Sequence, residues 1–319
     1  VIIWRDGDVK TPEVVPSVAT IGVFDGVHRG HQFVIESVVQ RALETGQRSV
    51  VLTFDPHPVS VLNPDATPAA IATVGQRLEW FDALGVDLVR VIKFNEQTAL
   101  ESATAFTERV LLADLGVSEV LVGEDFHFGH DREGSVAFIG TTEWSSPLSA
   151  QGLAIAGEAV RWSSTHVREA VRAGDLVLAN EILGRPFTLR GVVKHGDARG
   201  RDLGYPTANL GCIPRQLIPG IGIYAGAVKL ASGEWWPGAI SIGTRPQFYD
   251  DGAVLVEVHI PGFKGDLYDD ELDVAFLGHL RGEMKFPDVN ALIAQIELDT
   301  QSSLSIFRNF TPEAFKLLG

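Results

Sequence analysis

The sequence predicts two architectures in one chain: a doubly wound parallel α/β sheet first, then an antiparallel β-barrel or sandwich closed by a terminal helix. Three observations carry this. Short β-rich runs alternate with helical stripes up to about residue 185, the spacing of strand–helix–strand units. Beyond Gly184-Arg185-Pro186 the pattern changes to consecutive short strands separated by Gly, Asp and Pro turns. A helical stripe then returns only at Pro287–Leu298. The boundary is expected near 180–187, dividing the chain into 1–184 and 185–319.

In the first half the apolar runs Ala19–Phe24, Ser49–Phe54, Leu88–Phe94 and Glu119–Val122 read as strands. Val34, Ile35, Val38, Val39, Ala42 and Leu43 make one helical stripe, stopped by Gly46. Leu78/Phe81/Leu84 and Phe106/Val110/Leu115 repeat that spacing. In the second half Thr188–Lys194, Ile221–Leu230, Trp235–Ile242, Ala253–Ile260 and Glu271–Leu277 read as strands, and Val289, Leu292, Ile293 and Ile296 mark the final helix. The stretch from Phe307 to Gly319 has no assignment.

A chain of 319 residues is long enough for two ordinary domains. Apolar content of 45% with 21% charged residues marks a folded globular protein. The net charge of −15 argues against nucleic-acid or anionic-membrane partners, so a polyanionic ligand must be held by local donors and a divalent cation. Cys212 is the single cysteine, which excludes an intramolecular disulfide. No apolar run approaches the ~20 residues of a membrane span, and Val1–Asp6 lacks a signal-peptide layout. A cytoplasmic protein acting on small molecules, as a monomer or weak homo-oligomer, is expected.

Polar clusters follow the strands of the first half, where ligands bind in such sheets. The first is Gly22-Val-Phe24-Asp25-Gly26-Val-His28-Arg-Gly30-His31. A strand breaking into a helix through glycines presents free N–H groups to a phosphate, and two imidazoles three residues apart can donate to the same polyphosphate. Asp55-Pro56-His57-Pro58 follows the second strand, where it suits a rigid turn. Gly123-Glu-Asp125-Phe126-His-Phe128-Gly129 follows a later one and suits loop anchors or a flat-ring pocket. Ser163-Ser164-Thr165 with Arg168 fits an N-cap or a second phosphate clamp.

In the second half Gly200-Arg201-Asp-Leu-Gly204-Tyr-Pro-Thr207-Ala-Asn209 places two hard-oxygen side chains two residues apart, facing the same way in extended backbone. This run suits a turn or a Mg²⁺–phosphate assembly. No P-loop signature occurs, so a kinase here would be of another type. Glu257 and His259 share the face opposite Val254, Val256, Val258 and Ile260, a solvated face by pattern alone.

His28-x-Gly30-His31 resembles the HxGH signature of nucleotidyltransferases. Together with the segments Thr53–Pro58, Gly123–Gly129, Ser163–Arg168 and Gly200–Leu210 it makes the chain resemble the prokaryotic bifunctional riboflavin kinase/FMN adenylyltransferase (FAD synthetase) family over roughly residues 15–305. The resemblance implies a Rossmann-like nucleotidyltransferase domain and a β-barrel kinase domain. It implies ATP and Mg²⁺ as co-substrate and cofactor, and riboflavin, FMN and FAD as substrates and products. It implies catalytic roles for His28 and His31, with Gly22, Phe24, Asp25, Gly26, Gly30, Ser163, Ser164, Thr165 and Arg168 on nucleotide or phosphate. Pro56, His57, Pro58, Asp125, Phe126 and Phe128 would contact flavin in the first half. In the second half it implies metal binding by Thr207 and Asn209, nucleotide binding by Gly200, Arg201 and Gly204, flavin contacts by Arg281 and Phe286, and Glu257 as general base. Two positions depart from the family pattern: Trp162 stands where a smaller aliphatic is usual, and Gln247 stands where threonine is usual. An adenylyltransferase with a weakened kinase, or a non-catalytic flavin-binding module, are the competing readings.

Overall fold

The computed structural model describes residues 1–154, 162–196, 200, 203–244 and 254–312. The described residues divide into two compact units. One gathers Val1–Pro68 and Val74–Ser163, the other Ala69–Thr73 and the residues from Ser164 onward.

The first unit is built on a parallel six-stranded sheet. Its strands are β1 (Ile2–Arg5), β2 (Ser17–Ile21), β3 (Arg48–Asp55), β4 (Leu88–Lys93), β5 (Val117–Gly123) and, after the small hairpin β6 (His127–Phe128) and β7 (Gly134–Ser135), β8 (Ser149–Leu153). The order is β1-β4-β3-β2-β5-β8, with every sheet neighbour parallel. Alternation along β3 sends Val51 to one face and Val50 and Leu52 to the other. On the first face Val51 joins Ile35, Leu78 and Phe81 from helices α1 (Arg29–Thr45) and, beyond the short α2 (Pro58–Leu62), α3 (Val74–Ala83). On the second, Val50 and Leu52 meet Phe106 and Val110. These come after the one-turn α4 (Glu96–Ala99), from α5 (Ala103–Phe106) and the π-helical Thr107–Asp114 that continues it. Val50, Val51 and Leu52 are all fully buried, so both faces of the sheet are covered, as a doubly wound fold requires.

Several boundaries differ from the sequence pattern. The first strand was expected to run to Phe24, but it ends at Ile21, because the backbone turns left-handed at Phe24 (φ 52°). Strands β1 and β8 add to the four expected. β8 has the sequence Ser-Ala-Gln-Gly-Leu, which lacks the branched residues that mark a strand. Helix α1 starts where His28 caps it and stops at left-handed Gly46, whose N–H reaches back to Ala42 and Leu43.

After helix α6 (Val136–Thr141), which belongs to the first unit, the second unit begins with α7 (Ser164–Ala173) and α8 (Leu176–Leu183). A closed antiparallel barrel follows: β9 (Phe187–Lys194), β10 (Thr207–Cys212), β11 (Gly222–Lys229), β12 (Trp235–Thr244), β13 (Val254–His259) and β14 (Glu271–Arg281), in the order β10-β13-β12-β11-β14-β9. Closure leaves no free sheet edge. The interior takes alternate residues, among them Ile240, Ile242, Val256, Val258, Val274 and Phe276, all essentially buried. The last helix, α9 (Val289–Phe307), is capped by the Asp288 carboxylate on the Ala291 N–H at 2.8 Å. It runs well past the Pro287–Leu298 stripe, because the polar run Asp299–Ser303 interrupts the periodic signal before Leu304, Ile306 and Phe307.

Candidate active sites

The parallel sheet reverses its winding at β2: the chain moves to β3 and β4 on one side, then returns to β5 and β8 on the other. A crevice opens at the carboxyl ends of the strands at such a switch point. Here it is a cavity of about 350 Å³. Thr20 and Ile21 line it from β2 with Gly22 just beyond, Gly123 from the end of β5 with Glu124 after it, and Leu153 from β8.

The turn from β2 into α1 is tightly fixed. Asp25, Val27 and His28 are each under a tenth exposed. Gly26 (φ 80°) and Val27 (φ 39°) are left-handed, and a side chain at Gly22 would strike the Phe24 ring at 2.9 Å. Gln32 donates from Nε2 to the Val27 carbonyl at 2.7 Å. His28 Nδ1 accepts the His31 N–H at 3.3 Å, which leaves the proton of its neutral form on Nε2. The two imidazoles stack with centroids 3.6 Å apart, and Phe24 sets its edge against His31. His31 lines the cavity, whereas His28 stands at the helix cap.

Of the residues singled out from sequence, Gly22, Phe24, His31, Asp125, Phe126 and Ser163 line this cavity. Asp25, Gly26, His28 and Gly30 build the turn behind it. Phe128 stacks on Phe126 at 5.5 Å and belongs to the core cluster with Phe106. Pro56 is exposed, and His57 caps α2 at Pro58, accepting the Val59 N–H on Nδ1 at 3.1 Å. Ser164 and Thr165 open α7 in the second unit, and Arg168 there is buried with Nε on the Ala69 carbonyl at 2.8 Å. Sequence reasoning missed Glu124, Leu153 and Trp162 as cavity residues. Leu153 follows from the strand-end rule once β8 is recognised. Trp162 carries the Arg29 guanidinium 6.0 Å from its ring.

The second site lies on the outside of the barrel. A cavity of about 760 Å³ is lined by Thr207, Asn209, Ser241, Glu257 and His259 from the strands, by Glu283–Phe286, and by Leu292, Ile296 and Asp299 of α9. The register explains the grouping. Asn209 and Ser241 both pair with Glu257, while Thr207 and Ala239 both pair with His259, giving two rows on one outer face. Thr207 Oγ1 donates to Glu257 Oε1 at 3.5 Å, and His259 Nδ1 meets the Pro206 carbonyl at 2.9 Å. Ala239, Ser241 and Gly243 are small on this face of β12 and leave the space open, a signal present in the strand's alternation. A Cβ at Gly196 would overlap Asn209 Nδ2, so any larger residue there would displace the Asn209 amide.

Arg281 and Phe286 line the same cavity, with the guanidinium 5.8 Å from the ring. Arg281 forks onto Asp299 of α9, the shortest bond being 2.7 Å, and Gln295 adds a third donor to that carboxylate at 2.9 Å. Gly200 lines the cavity and Gly204 is left-handed at φ 85°. Arg201 and the departure at Gln247 lie outside the described residues.

The oxygens of Thr207, Asn209 and Glu257 suit Mg²⁺, a hard cation that keeps few protein ligands and takes the rest from water and phosphate. Among the described residues no group of three or more His, Cys, Asp and Glu side chains is placed to hold a metal ion.

A sequence-family model described as FAD synthetase matches residues 10–150, and one described as riboflavin kinase matches residues 183–307. A bifunctional riboflavin kinase/FMN adenylyltransferase from Pseudomonas fluorescens is 41% identical over 298 residues, covering 92% of this chain and 94% of its own. The chain belongs to the bifunctional riboflavin kinase/FMN adenylyltransferase family. Family members from Listeria monocytogenes (37% identical, 92% of this chain and 93% of the relative) and Escherichia coli K12 (35%, 91% and 92%) agree in span. A crystal structure described as a macrolide-efflux protein from Streptococcus pneumoniae covers 98% of this chain and 100% of its own at TM-score 0.83 and 28% identity. It shares the family fold along nearly the whole chain. Among the described residues no helix is long and apolar enough to cross a membrane.

Proposed function

We propose that the chain makes FAD in two steps, phosphorylating riboflavin in residues 185–319 and adenylylating the resulting FMN in residues 1–184. The observation that carries this reading is that each matched family domain has its own cavity lined by its own motif residues.

In the kinase step the terminal ribityl hydroxyl attacks the γ-phosphorus of ATP. Glu257 takes its proton, the P–O bond to the β-phosphate breaks, and ADP leaves. Thr207 and Asn209 would hold Mg²⁺, which neutralises phosphate charge when bound. Gly200, Arg201 and Gly204 enclose the nucleotide, and Arg281 and Phe286 border the flavin.

In the adenylyl step an FMN phosphate oxygen attacks the α-phosphorus of ATP, and pyrophosphate leaves. No covalent nucleophile from the protein is needed, so positioning and charge stabilisation carry the catalysis. His28 and His31 stabilise the charge at phosphorus. Ser163, Ser164, Thr165 and Arg168 hold the departing pyrophosphate, and Asp125 and Phe126 shape the ring pocket. A cytoplasmic setting suits a chain supplied with ATP and riboflavin.

Purified protein incubated with ATP, Mg²⁺ and riboflavin is expected to yield FMN and then FAD by chromatography, and FMN supplied alone with ATP to yield FAD. Absence of both products sinks the reading. FAD formed from FMN but not from riboflavin leaves an adenylyltransferase alone.

A further inference from the structure

The β2–β3 ladder ends at Ile21 and Leu52, with one further backbone bond from Gly22 N–H to the Leu52 carbonyl at 3.1 Å. Beyond that point the two strand exits diverge into the turns that carry His28 and His57. Arg77 of α3 takes over where the ladder stops. Its guanidinium donates to the Val23 carbonyl and, at 3.0 Å, to Thr53 Oγ1, with a longer bond of 3.4 Å to the Phe54 carbonyl. Thr53 Oγ1 itself donates to the Val23 carbonyl at 3.1 Å, closing a small network. The side chain is buried, at 6% exposure. Burial pulls its pKa down, and the charges of Asp25 in the β2 turn and Asp55 at the end of β3 offset only part of that.

What Arg77 fixes is a segment under strain. Val23 immediately precedes Phe24, and Phe24 and Val27 both hold left-handed backbone that non-glycine residues avoid. Such conformations persist only where the surroundings over-determine them. A guanidinium with one acceptor in the β2 turn and two at the end of β3 supplies that constraint on the side of the turn that enters from β2. Lysine, a point charge, cannot reproduce the fork.

We propose that Arg77 is a positioning residue for adenylyl transfer, holding the β2 turn so that His31 meets the cavity in one orientation. The inference rests on the two-step reading above. The test compares R77Q and R77K with the unaltered full-length protein, measuring adenylyl transfer from ATP to FMN and riboflavin phosphorylation on the same preparations. R77Q is expected to lower kcat for FAD formation about a hundredfold, the scale on which misplacement acts. KM for ATP and the riboflavin kinase rate should stay within about threefold and twofold of the parent, respectively. R77K should recover part of the lost kcat. FAD formation by R77Q within twofold of the parent overturns the inference. So does a parallel fall of both activities in both variants, which marks Arg77 as support for the whole chain. Unaltered protein that makes no FAD from FMN overturns the underlying functional reading instead.

Discussion

Asn209 and Glu257 stand directly opposite each other in the β10–β13 ladder, and Thr207 Oγ1 reaches Glu257 Oε1 at 3.5 Å. A carboxylate is thus held beside two hard-oxygen side chains on the outer face of the barrel. Glu257→Gln keeps the shape and removes the proposed base. It is expected to cut riboflavin phosphorylation by about 10²–10⁴-fold and leave FAD formation from supplied FMN intact, checked by separate assays of each step.

His31→Ala should do the reverse. Removing the imidazole that lines the first cavity abolishes FAD formation while riboflavin is still converted to FMN. Equal damage to both steps in this variant would contradict the division of labour between the two cavities.

The Arg281–Asp299 fork joins β14 to α9, and both side chains are largely buried. Arg281→Met leaves the Asp299 carboxylate without its cation. Breaking a buried pair from one side costs about 3 kcal/mol, so a lowered denaturation midpoint is expected. Because Arg281, Asp299 and Ile296 line the same cavity, KM for riboflavin should rise with it.

Asp6 gives a pH prediction. Burial alone would raise its pKa, but the Arg90 side chain and the Lys93 N–H outweigh that and hold it below its ordinary 3.8. A depressed folded value contributes stability above the unfolded pKa and loses it as pH falls through the folded one. Asp6→Asn should therefore be less stable than the parent at pH 7, with the gap closing below about pH 4, as read from denaturant melts at pH 7 and pH 3.

Burial pushes the Cys212 thiol up from 9.0 to about 11. At pH 7.5 its thiolate fraction falls roughly a hundredfold below that of an ordinary thiol. Iodoacetamide labelling of the folded protein should be correspondingly slow and should accelerate on unfolding, as followed by mass spectrometry.

The two architectures were legible because each writes its own period into the chain. The run Val254–Ile260 alternates as a half-covered barrel strand must, and the observed β13 buries Val256 and Val258. β8 was not legible, since Ser149–Leu153 carries the small residues that a crevice needs and not those that advertise a strand. Thr207 and Asn209 were found as a pair facing one way, but their neighbours Ser241 and His259 come from strand register, which local pattern does not contain. Arg77 was invisible for a related reason. Its partners are backbone carbonyls and one threonine hydroxyl, and nothing in a helical stripe marks a residue that bonds to main chain 54 positions away.

The barrel keeps its branched side chains inside and its chemistry outside, on the same strands. Along β13 this interleaves two separate mutational maps at single-residue spacing. Inward positions such as Val256 and Val258 fill the core, while outward Glu257 and His259 line the pocket proposed for the kinase step. A barrel with a filled interior works as a stand, not a container, so the pocket on its flank can be recut through β12 and α9 without reopening the core.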